Sequence, residues 1–221
     1  MAEPELSASF YGTAAGLYDL VATAPGVMSW RRRTVETLGV SAGDTVVEMG
    51  CGTGANMPFL REQVGSDGRV VGVDLVPAML QEAQNRIERA GWKNVHVVEG
   101  DATQPPVDTA DALVSTFVVG MLDDPAGATR EWLDCVSPGG RVTLLNAGRS
   151  PRAVTAPLNL GLRLFVRVAA PGRRLSLTSP TRELERRWAE ARDALFEAGI
   201  DQHEERLGLG LVPLMSVRVP E

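Results

Sequence analysis

The chain has few of the residues that build disulfide frameworks and metal clusters. It contains two cysteines, Cys51 and Cys135, and two histidines, and none of them falls in a Cys-x-x-Cys pair or a Cys/His cluster. Such spacing is the usual signature of a disulfide scaffold or a zinc site. We therefore expect neither, and no metal ligand is predicted. Cys51 lies in a glycine-rich stretch, where we interpret it as a small buried residue and not as a nucleophile.

Long apolar runs and a secretory leader are also lacking. No uncharged apolar stretch reaches the roughly 18 residues that span a bilayer, and the start, MAEPELSASF, has no basic region before an apolar core. Only one of the 22 basic residues is lysine, and the net charge of -6 argues against a general nucleic-acid binder. We expect a cytoplasmic protein, and its 221 residues suffice for one domain with a substantial core.

Short apolar strands alternate with helices through the first two thirds of the chain. Strands are predicted at 45–49, 69–75, 95–101, 110–120 and 141–147, with helices at 56–64, 77–91 and 125–136. Continuous apolar runs are typical of parallel strands that are buried on both faces. The pattern predicts a doubly wound, Rossmann-like α/β sheet with helices on both faces. A helix at 181–199 and an edge strand at 211–220 complete the prediction, after a helical region at 7–40.

The stretch VVEMGCGTGAN, residues 46–56, places three glycines at the end of the first strand: Gly50, Gly52 and Gly54. In doubly wound sheets a ligand binds beyond the carboxyl ends of the strands, and the first strand–helix turn is the expected site. Glycine is favoured there because a Cβ atom would block the tight turn and keep a ligand from the backbone. Together with Ala55 the pattern fits the dinucleotide fingerprint, and without it the looser E/D-x-G-x-G-x-G. The glycine spacing alone does not distinguish a dinucleotide site from a site of the looser E/D-x-G-x-G-x-G type.

Three acidic positions reduce the set of ligands that the glycine turn could bind. Asp74 ends the second strand, 24 residues after Gly50, where a carboxylate can accept from both hydroxyls of a ribose and disfavours a 2′-phosphate. This leaves NAD and S-adenosylmethionine. Glu48 favours the methyl donor, because it would repel a pyrophosphate but can hold an ammonium group. Asp101 and Ala102, in GDA after the third strand, can bind the adenine edge.

These residues resemble the class I S-adenosylmethionine-dependent methyltransferases over about residues 7–147. Five motifs occur in the family's order: VVEMGCGTG, VVGVDLVPAML, VEGDA, ADALVSTFVV and VSPGGRVTLLN. The resemblance implies a seven-stranded sheet whose last strand is antiparallel, with the donor's methyl group near the end of strand four, around Phe117. It implies S-adenosylmethionine as cofactor, held by Tyr18, Glu48, Gly50, Gly52, Gly54, Asp74, Leu75, Asp101, Ala102 and Thr116.

A narrower resemblance begins at FYGTAAGLYDL, residues 10–20. It is similar to the opening of the ubiquinone/menaquinone C-methyltransferases and their lipid N-methylating relatives, in which an N-terminal helix closes over the donor. The resemblance implies this role for Tyr18 and, less directly, Tyr11. One position departs from the quinone enzymes, since Gly120 stands where they carry an arginine that orients the substrate. That difference argues against quinone methylation.

The segment 148–180 interrupts the regular alternation and differs in charge. Between Arg141 and Arg182 there are eight arginines and no acidic residue. Arg163 and Arg167 are four residues apart among Leu, Phe and Val, which is typical of an amphipathic helix. We expect this segment to cover the acceptor site and to favour a lipophilic or anionic small molecule. Peripheral contact with an anionic membrane through 153–174, and a plain core-packing helix, stay open.

The predicted function is methyl transfer from S-adenosylmethionine to a small, lipophilic acceptor by one domain. No catalytic base is assigned, because His96 lies within a predicted strand and His203 in a charged tail. The alternatives are donor binding without transfer, and an NAD-dependent oxidoreductase, which would lack a Tyr-x-x-x-Lys pair. The acceptor atom and oligomeric state are not predicted. The expected organisation is an N-terminal helical lid at 1–42, a donor-binding core at 43–147, an inserted acceptor-side segment at 148–180, and a C-terminal helix and edge strand at 181–221.

Overall fold

The computed structural model describes residues 22–150 and 180–221, and within them a single mixed sheet organises the chain. Its seven strands are β1 (Thr45–Met49), β2 (Arg69–Asp74), β3 (Val95–Glu99), β4 (Ala110–Thr116), β5 (Val136–Leu145), β6 (Ile200–Leu207) and β7 (Val212–Arg218). They lie in the order β3-β2-β1-β4-β5-β7-β6. All neighbours are parallel except that β7 runs antiparallel to both β5 and β6. The predicted fold class is confirmed.

The strand order reverses between β1 and β4, which pair with Val46 beside Ala112 and Met49 beside Ser115. From β1 the chain proceeds outward through β2 to β3, and then returns to β4 on the other side of β1. Such a reversal leaves a crevice at the carboxyl ends of the two strands, where neighbouring connections diverge to opposite faces. The glycine-rich turn after β1 lies at this point.

The ends of the helices have residues that favour helix termini: proline, glycine and a capping aspartate. They are α1 (Pro25–Leu38), α2 (Met57–Val64), α3 (Pro77–Ala90), α4 (Pro125–Asp134) and α5 (Pro180–Ala198). Proline stands in the first turn of α1 to α4, where its missing N–H costs no helical hydrogen bond. Gly39 and Gly91 end α1 and α3 in the left-handed conformation. Asp124 caps α4 by accepting a hydrogen bond from the Gly127 N–H at 2.8 Å.

Two apolar cores lie on opposite faces of the sheet. One face packs α1, α2 and α3 around a cluster that includes Leu38, Leu60 and Ile87. The other packs α4 and α5 around Trp132, which is fully buried and donates from its indole Nε1 to the Ala102 carbonyl at 2.7 Å. Truncating such a side chain costs about 3–5 kcal/mol. Through Trp132 this core also holds the loop after β3.

The C-terminal part of the sheet differs from the prediction. The strand predicted at 211–220 is present as β7, but it lies inside the sheet, and the edge belongs to β6, which was not predicted. The run VPLMSV in β7 is buried throughout, as an internal strand requires. Strand β6, IDQHEERL, is polar on both faces because at the edge it needs no continuous apolar run.

Several element boundaries also differ. Strand β3 ends at Glu99 and not at residue 101, and β4 ends at Thr116 and not at residue 120, because the positive φ of Phe117 ends the strand ahead of a short 3₁₀ helix at Val119–Met121. The fifth strand starts at Val136 and not at residue 141, because Ala110 pairs with Val136 ahead of a register shift. Helix α4 therefore ends at Asp134, before the predicted residue 136. The helix predicted at 7–40 can be compared with the structure only from residue 22, and 151–179 of the inserted segment lie outside the described residues. Within the described part, no helix is long and apolar enough to cross a membrane.

Candidate functional site

The turn between β1 and α2 has the tight backbone that its glycines predict. Gly50, Gly52 and Gly54 adopt φ values of +68°, +53° and +75°, a region that side chains with a Cβ atom enter at a cost. The Cys51 N–H donates to the Val73 carbonyl at 2.9 Å, which fastens the turn to the end of β2. Cys51 itself is buried, and burial raises the pKa of its thiol well above the usual range. An inert loop residue is the interpretation that fits this environment.

Two of these glycines are required by packing within the protein as well as by a ligand, because a Cβ atom would clash with neighbouring side chains. A Cβ on Gly50 would lie 2.1 Å from Cγ2 of Val118, and one on Gly54 would lie 2.6 Å from Sδ of Met57. Val118 follows β4 and is buried, so the turn after β1 packs directly against the chain leaving β4. Packing against Val118 and Met57 is thus a further reason for glycine, besides the tight turn and the approach of a ligand that the sequence predicts. The glycines also bring the ends of β1 and β4 together.

Asp74, at the end of β2, is tied to the glycine turn. Its Oδ2 accepts from the Gly52 N–H at 2.8 Å and its Oδ1 accepts from the Val76 N–H at 2.9 Å. An ionised carboxylate offers about four lone-pair positions, so both oxygens keep room to accept from a ribose. Burial raises the pKa of Asp74, and the two backbone N–H groups oppose that shift. The side chain is half-buried and oriented by the backbone before any ligand binds.

The residues predicted to hold adenine lie beside Asp74. The Gly100 N–H donates to the Asp74 carbonyl at 3.0 Å, which places the loop after β3 next to the end of β2. Asp101 is exposed, and its Oδ1 accepts from the Thr103 N–H at 2.8 Å. Leu75 is 51% exposed at the same edge. An exposed leucine beside a carboxylate suits the face and the amino edge of a purine.

Glu48 is fully buried in β1, one residue before the end of the strand. Its Oε1 accepts from Nδ2 of Asn56 at 2.6 Å, whereas its Oε2 has no hydrogen-bond partner among the described residues. Burial raises the pKa of Glu48 to about 7, while Arg31, Asn56 and Arg86 act to lower it and Asp74 adds to the rise. A buried carboxylate oxygen without a donor is costly, and a cationic ligand group would satisfy it.

Thr116 and Phe117, at the end of β4, both lie against Arg31 of α1. Thr116 is buried, and its Oγ1 accepts from Nη1 of Arg31 at 2.8 Å and from Nδ2 of Asn56 at 3.0 Å. Phe117 has a φ of +64°, an uncommon conformation for an aromatic residue. The Arg31 guanidinium lies 5.2 Å from the centre of its ring. The Thr116 side chain therefore supports the turn, and only its hydroxyl proton and backbone are free for a donor.

Two site residues, Arg31 and Asn56, were missed from the sequence. A signal for each was present. The helical spacing of α1 places Arg31 on the same face as Val35 and Leu38, so an arginine interrupts an apolar stripe. Asn56 follows the glycine motif by two residues and is fully buried at the start of α2. A polar residue at each of these places indicates a buried partner.

Helix α5 covers the sheet edge at Gly120. A Cβ on Gly120 would lie 2.0 Å from Cδ1 of Leu184, so a side chain at this position requires the Leu184 side chain to move. Arg187, which is 4% exposed, donates from Nη1 to the Gly120 carbonyl at 3.2 Å and from Nε to Glu183 at 2.9 Å. Next to Gly120, the buried Asn146 has an Nδ2 without a hydrogen-bond partner among the described residues.

Some predicted features cannot be placed. Tyr18 and Tyr11 lie outside the described residues, as do Arg163 and Arg167, so the donor lid and the acceptor roof stay predictions. A cleft of about 460 Å³ in the described part lies at the opposite, amino edge of the sheet. It is lined by Asp44, Asp111, Arg141 and Arg218, and it shares no residue with the predicted donor site.

Sequence comparison finds a family model and relatives that are similar to the part of the chain that carries this edge. Residues 46–140 match the family model described as "Methyltransferase domain". The aklanonic acid methyltransferase DauC of Streptomyces sp. (strain C5) is 34% identical over 113 residues, which cover 50% of this chain and 51% of that protein. The demethylmenaquinone methyltransferase of Tropheryma whipplei (strain Twist) is 32% identical over 142 residues, 64% of this chain and 56% of that protein. The chain thus spans about half the length of the relatives it matches.

Comparison with solved structures gives the same fold over a longer range. The S-adenosylmethionine-dependent methyltransferase from Aquifex aeolicus has a TM-score of 0.66 at 20% identity. The alignment covers 89% of this chain and 94% of that one. At this identity the likeness shows the fold. Together with the sequence matches, it confirms the predicted resemblance to the class I S-adenosylmethionine-dependent methyltransferases.

Proposed function

Since residues 46–140 match the methyltransferase-domain family model, we propose that this protein transfers a methyl group from S-adenosylmethionine to a small, lipophilic acceptor. The observation that carries the proposal is the buried Oε2 of Glu48, which has no hydrogen-bond partner among the described residues. A carboxylate there suits the ammonium group of the donor, directly or through water, and would repel the pyrophosphate of NAD. Asp74 and the exposed Leu75 are oriented to take the ribose and adenine.

The chain's residues supply orientation more than acid–base chemistry. The bound sulfonium would supply an already activated methyl group, so catalysis requires chiefly that the nucleophile be held in line and water be excluded. In this proposal Asp74, Leu75 and Asp101 fix the adenosine, while Glu48 and the backbone of Gly50 and Gly52 hold the amino-acid end. No described histidine lies at this edge, and no catalytic base is assigned.

The acceptor proposal rests on apolar surface at the same edge. Met121 and Leu209 are each more than half exposed, and they follow β4 and β6 at the carboxyl edge. The names of the relatives, which include an aklanonic acid and a demethylmenaquinone methyltransferase, support a lipophilic ring compound. However, Gly120 stands where the quinone enzymes carry an arginine, and a side chain at this position would require Leu184 to move. We therefore propose a different set of acceptor contacts.

Calorimetry with S-adenosylmethionine and NAD in parallel tests the donor. We expect the first to bind and the second not to bind. In Asp74→Ala, loss of the ribose hydrogen bonds should weaken donor binding by about tenfold to a hundredfold. The exposed Asp67→Ala variant is the matched control and should bind as the wild type does. Unchanged affinity in Asp74→Ala, or preference for NAD, would contradict the proposal.

A screen for release of S-adenosylhomocysteine then tests methyl transfer. The acceptor panel should include phenols, quinones, amines and lipids, with and without added protein. Turnover with an apolar ring compound is the expected result. Donor binding without product on any acceptor would favour the alternative, a protein that binds S-adenosylmethionine without transferring its methyl group.

A further inference from the structure

Arg31 joins three separate segments at the predicted donor site. Its Nε donates to the Ala22 carbonyl at 3.2 Å, and its Nη1 donates to Oδ1 of Asn56 at 3.2 Å and to Oγ1 of Thr116 at 2.8 Å. The residue is 4% exposed. A guanidinium is rarely buried to this extent without a charged partner or a dense set of acceptors. Here the acceptors come from the chain before α1, the start of α2 and the end of β4.

Asn56 connects this arginine to Glu48. Its Oδ1 accepts from Arg31, while its Nδ2 donates to Oε1 of Glu48 at 2.6 Å. Because a guanidinium can only donate and an ionised carboxylate can only accept, the amide has one orientation that satisfies both neighbours. The side chain of Asn56 is therefore held between the two charges.

The arginine stabilises Glu48 without pairing with it. Among the described residues no ion pair joins Arg31 to Glu48, yet Arg31 is the strongest of the groups that favour the charged carboxylate. A bidentate pair would occupy both carboxylate oxygens. Contact through Asn56 instead uses Oε1 and leaves the buried Oε2 without a donor among the described residues.

We propose that Arg31 is a positioning residue of the donor site, which holds Asn56 against Oε1 of Glu48 so that Oε2 is left for the donor's ammonium group. This inference rests on the proposed function, because the ammonium belongs to S-adenosylmethionine or its product. It assigns to α1 a part in donor binding that the glycine and acidic motifs do not reveal.

A pH dependence follows from the charges around Glu48. Burial raises its pKa to about 7, Asp74 raises it further, and Arg31 and Arg86 lower it; the neighbouring Cys51 thiol is neutral. Since the ammonium binds the ionised carboxylate, affinity should increase as pH rises through about 7. Removing the Arg31 charge raises the pKa of Glu48, so the midpoint of this increase should move to higher pH.

The test is calorimetric titration of the full-length protein from about pH 5 to pH 9, the range over which such a group titrates. Two ligands are compared: S-adenosylhomocysteine, which has the ammonium group, and 5′-methylthioadenosine, which lacks the amino-acid part. In Arg31→Gln we expect about tenfold weaker S-adenosylhomocysteine binding near pH 7 and a midpoint about one pH unit higher. Binding of 5′-methylthioadenosine should be unchanged, and Arg31→Lys should keep the midpoint close to that of the wild type.

Arg32→Gln is the matched control, because Arg32 is on the exposed face of the same helix and pairs with Glu62. Asn56→Leu is the second variant if Arg31→Gln does not fold, and its midpoint should also rise, since Asn56 lowers the pKa of Glu48. Equal weakening of both ligands, or an unmoved midpoint, would show a merely structural role and overturn the inference. If the wild type binds neither ligand, the proposed function itself is contradicted.

Discussion

The donor side and the acceptor side of the sheet edge are built in different ways. The donor side comes from consecutive strands and turns, and Asp74 reaches Gly52 across only 22 positions of sequence. The acceptor side joins distant segments, since Arg187 on α5 contacts the Gly120 carbonyl across 67 positions. Among the described residues, Oε2 of Glu48 on the donor side has no hydrogen-bond partner, and we expect a ligand to supply one. Nδ2 of Asn146, next to Gly120, has none among these residues either.

Contacts between sequence neighbours, as on the donor side, can be shared by a whole family, whereas contacts between distant segments, as on the acceptor side, can differ from one protein to the next. Local motifs reproduce the same donor geometry wherever they occur, because the turn conformation and the strand ends depend on neighbours in sequence. Acceptor contacts depend on which distant helix covers the edge and on how closely it packs. The donor is therefore assigned on firmer ground than the acceptor, and variants on the two sides should behave differently.

The largest effect is expected at Gly50, on the donor side. Gly50→Ala would place a Cβ 2.1 Å from Cγ2 of Val118 in a backbone of positive φ, and strain and overpacking together cost about 3–4 kcal/mol. We expect donor affinity to fall more than about a hundredfold. Gly39→Ala is the control, since Gly39 has a similar φ of +65° with no atom closer than 4.0 Å. It should lose about 1 kcal/mol of stability and keep donor affinity; equal losses in both would contradict the assignment.

The second effect concerns the charge of Glu48. Its pKa is raised from the usual 4.5 to about 7, so between these values the folded state keeps a proton that the unfolded state loses. Stability of the wild type should therefore fall as pH rises across this range, by at most about 3 kcal/mol from this group. Glu48→Gln removes this fall, and urea unfolding at pH 5 and pH 8 should show a shallower pH dependence. Affinity for S-adenosylhomocysteine at pH 8 should fall about tenfold or more. If the stability of Glu48→Gln depends on pH as that of the wild type does, Glu48 does not titrate in this range.

The third effect tests the acceptor side through Gly120. Gly120→Ala should destabilise the fold by about 1–3 kcal/mol, because the added methyl would meet Leu184 at 2.0 Å. Donor affinity should stay within about twofold of the wild type. Adding Leu184→Ala removes the obstructing atom, so the double variant should be more stable than the sum of the two single changes by about 1 kcal/mol. Additive losses in urea unfolding would mean that the two residues do not meet.

The smallest effect concerns the buried amide of Asn146. Nδ2 of Asn146 has no hydrogen-bond partner in the described part of the chain, so Asn146→Leu should leave stability unchanged or raise it by about 1 kcal/mol. Asn94→Leu is the matched comparison, since the Asn94 amide donates to the carbonyls of Gly65 and Gly68. It should lose about 1–3 kcal/mol. If both substitutions cost the same, Asn146 has a hydrogen bond in solution that the structure lacks.

Sequence reasoning succeeded where the physical signal is short-range. The first four strands, the helices between them and the glycine turn follow from apolar periodicity, proline and glycine positions, and these are properties of a few neighbouring residues. It failed at β6, whose polar sequence forms a strand only because β7 offers hydrogen-bonding groups beside it. It also failed at Arg31, because a buried arginine depends on acceptors 25 and 85 positions away.

The amino-acid sequence alone determined the doubly wound class, the glycine turn and the acidic positions that predict an adenosine-containing donor. These depend on backbone conformation and on strand ends, which local sequence specifies. Only the tertiary structure decided that β7 is internal, that α5 closes over Gly120, and that Arg31 reaches Glu48 through Asn56. Each of these requires segments far apart in sequence to be brought into contact, and that contact is set by the packing of the two cores on the sheet.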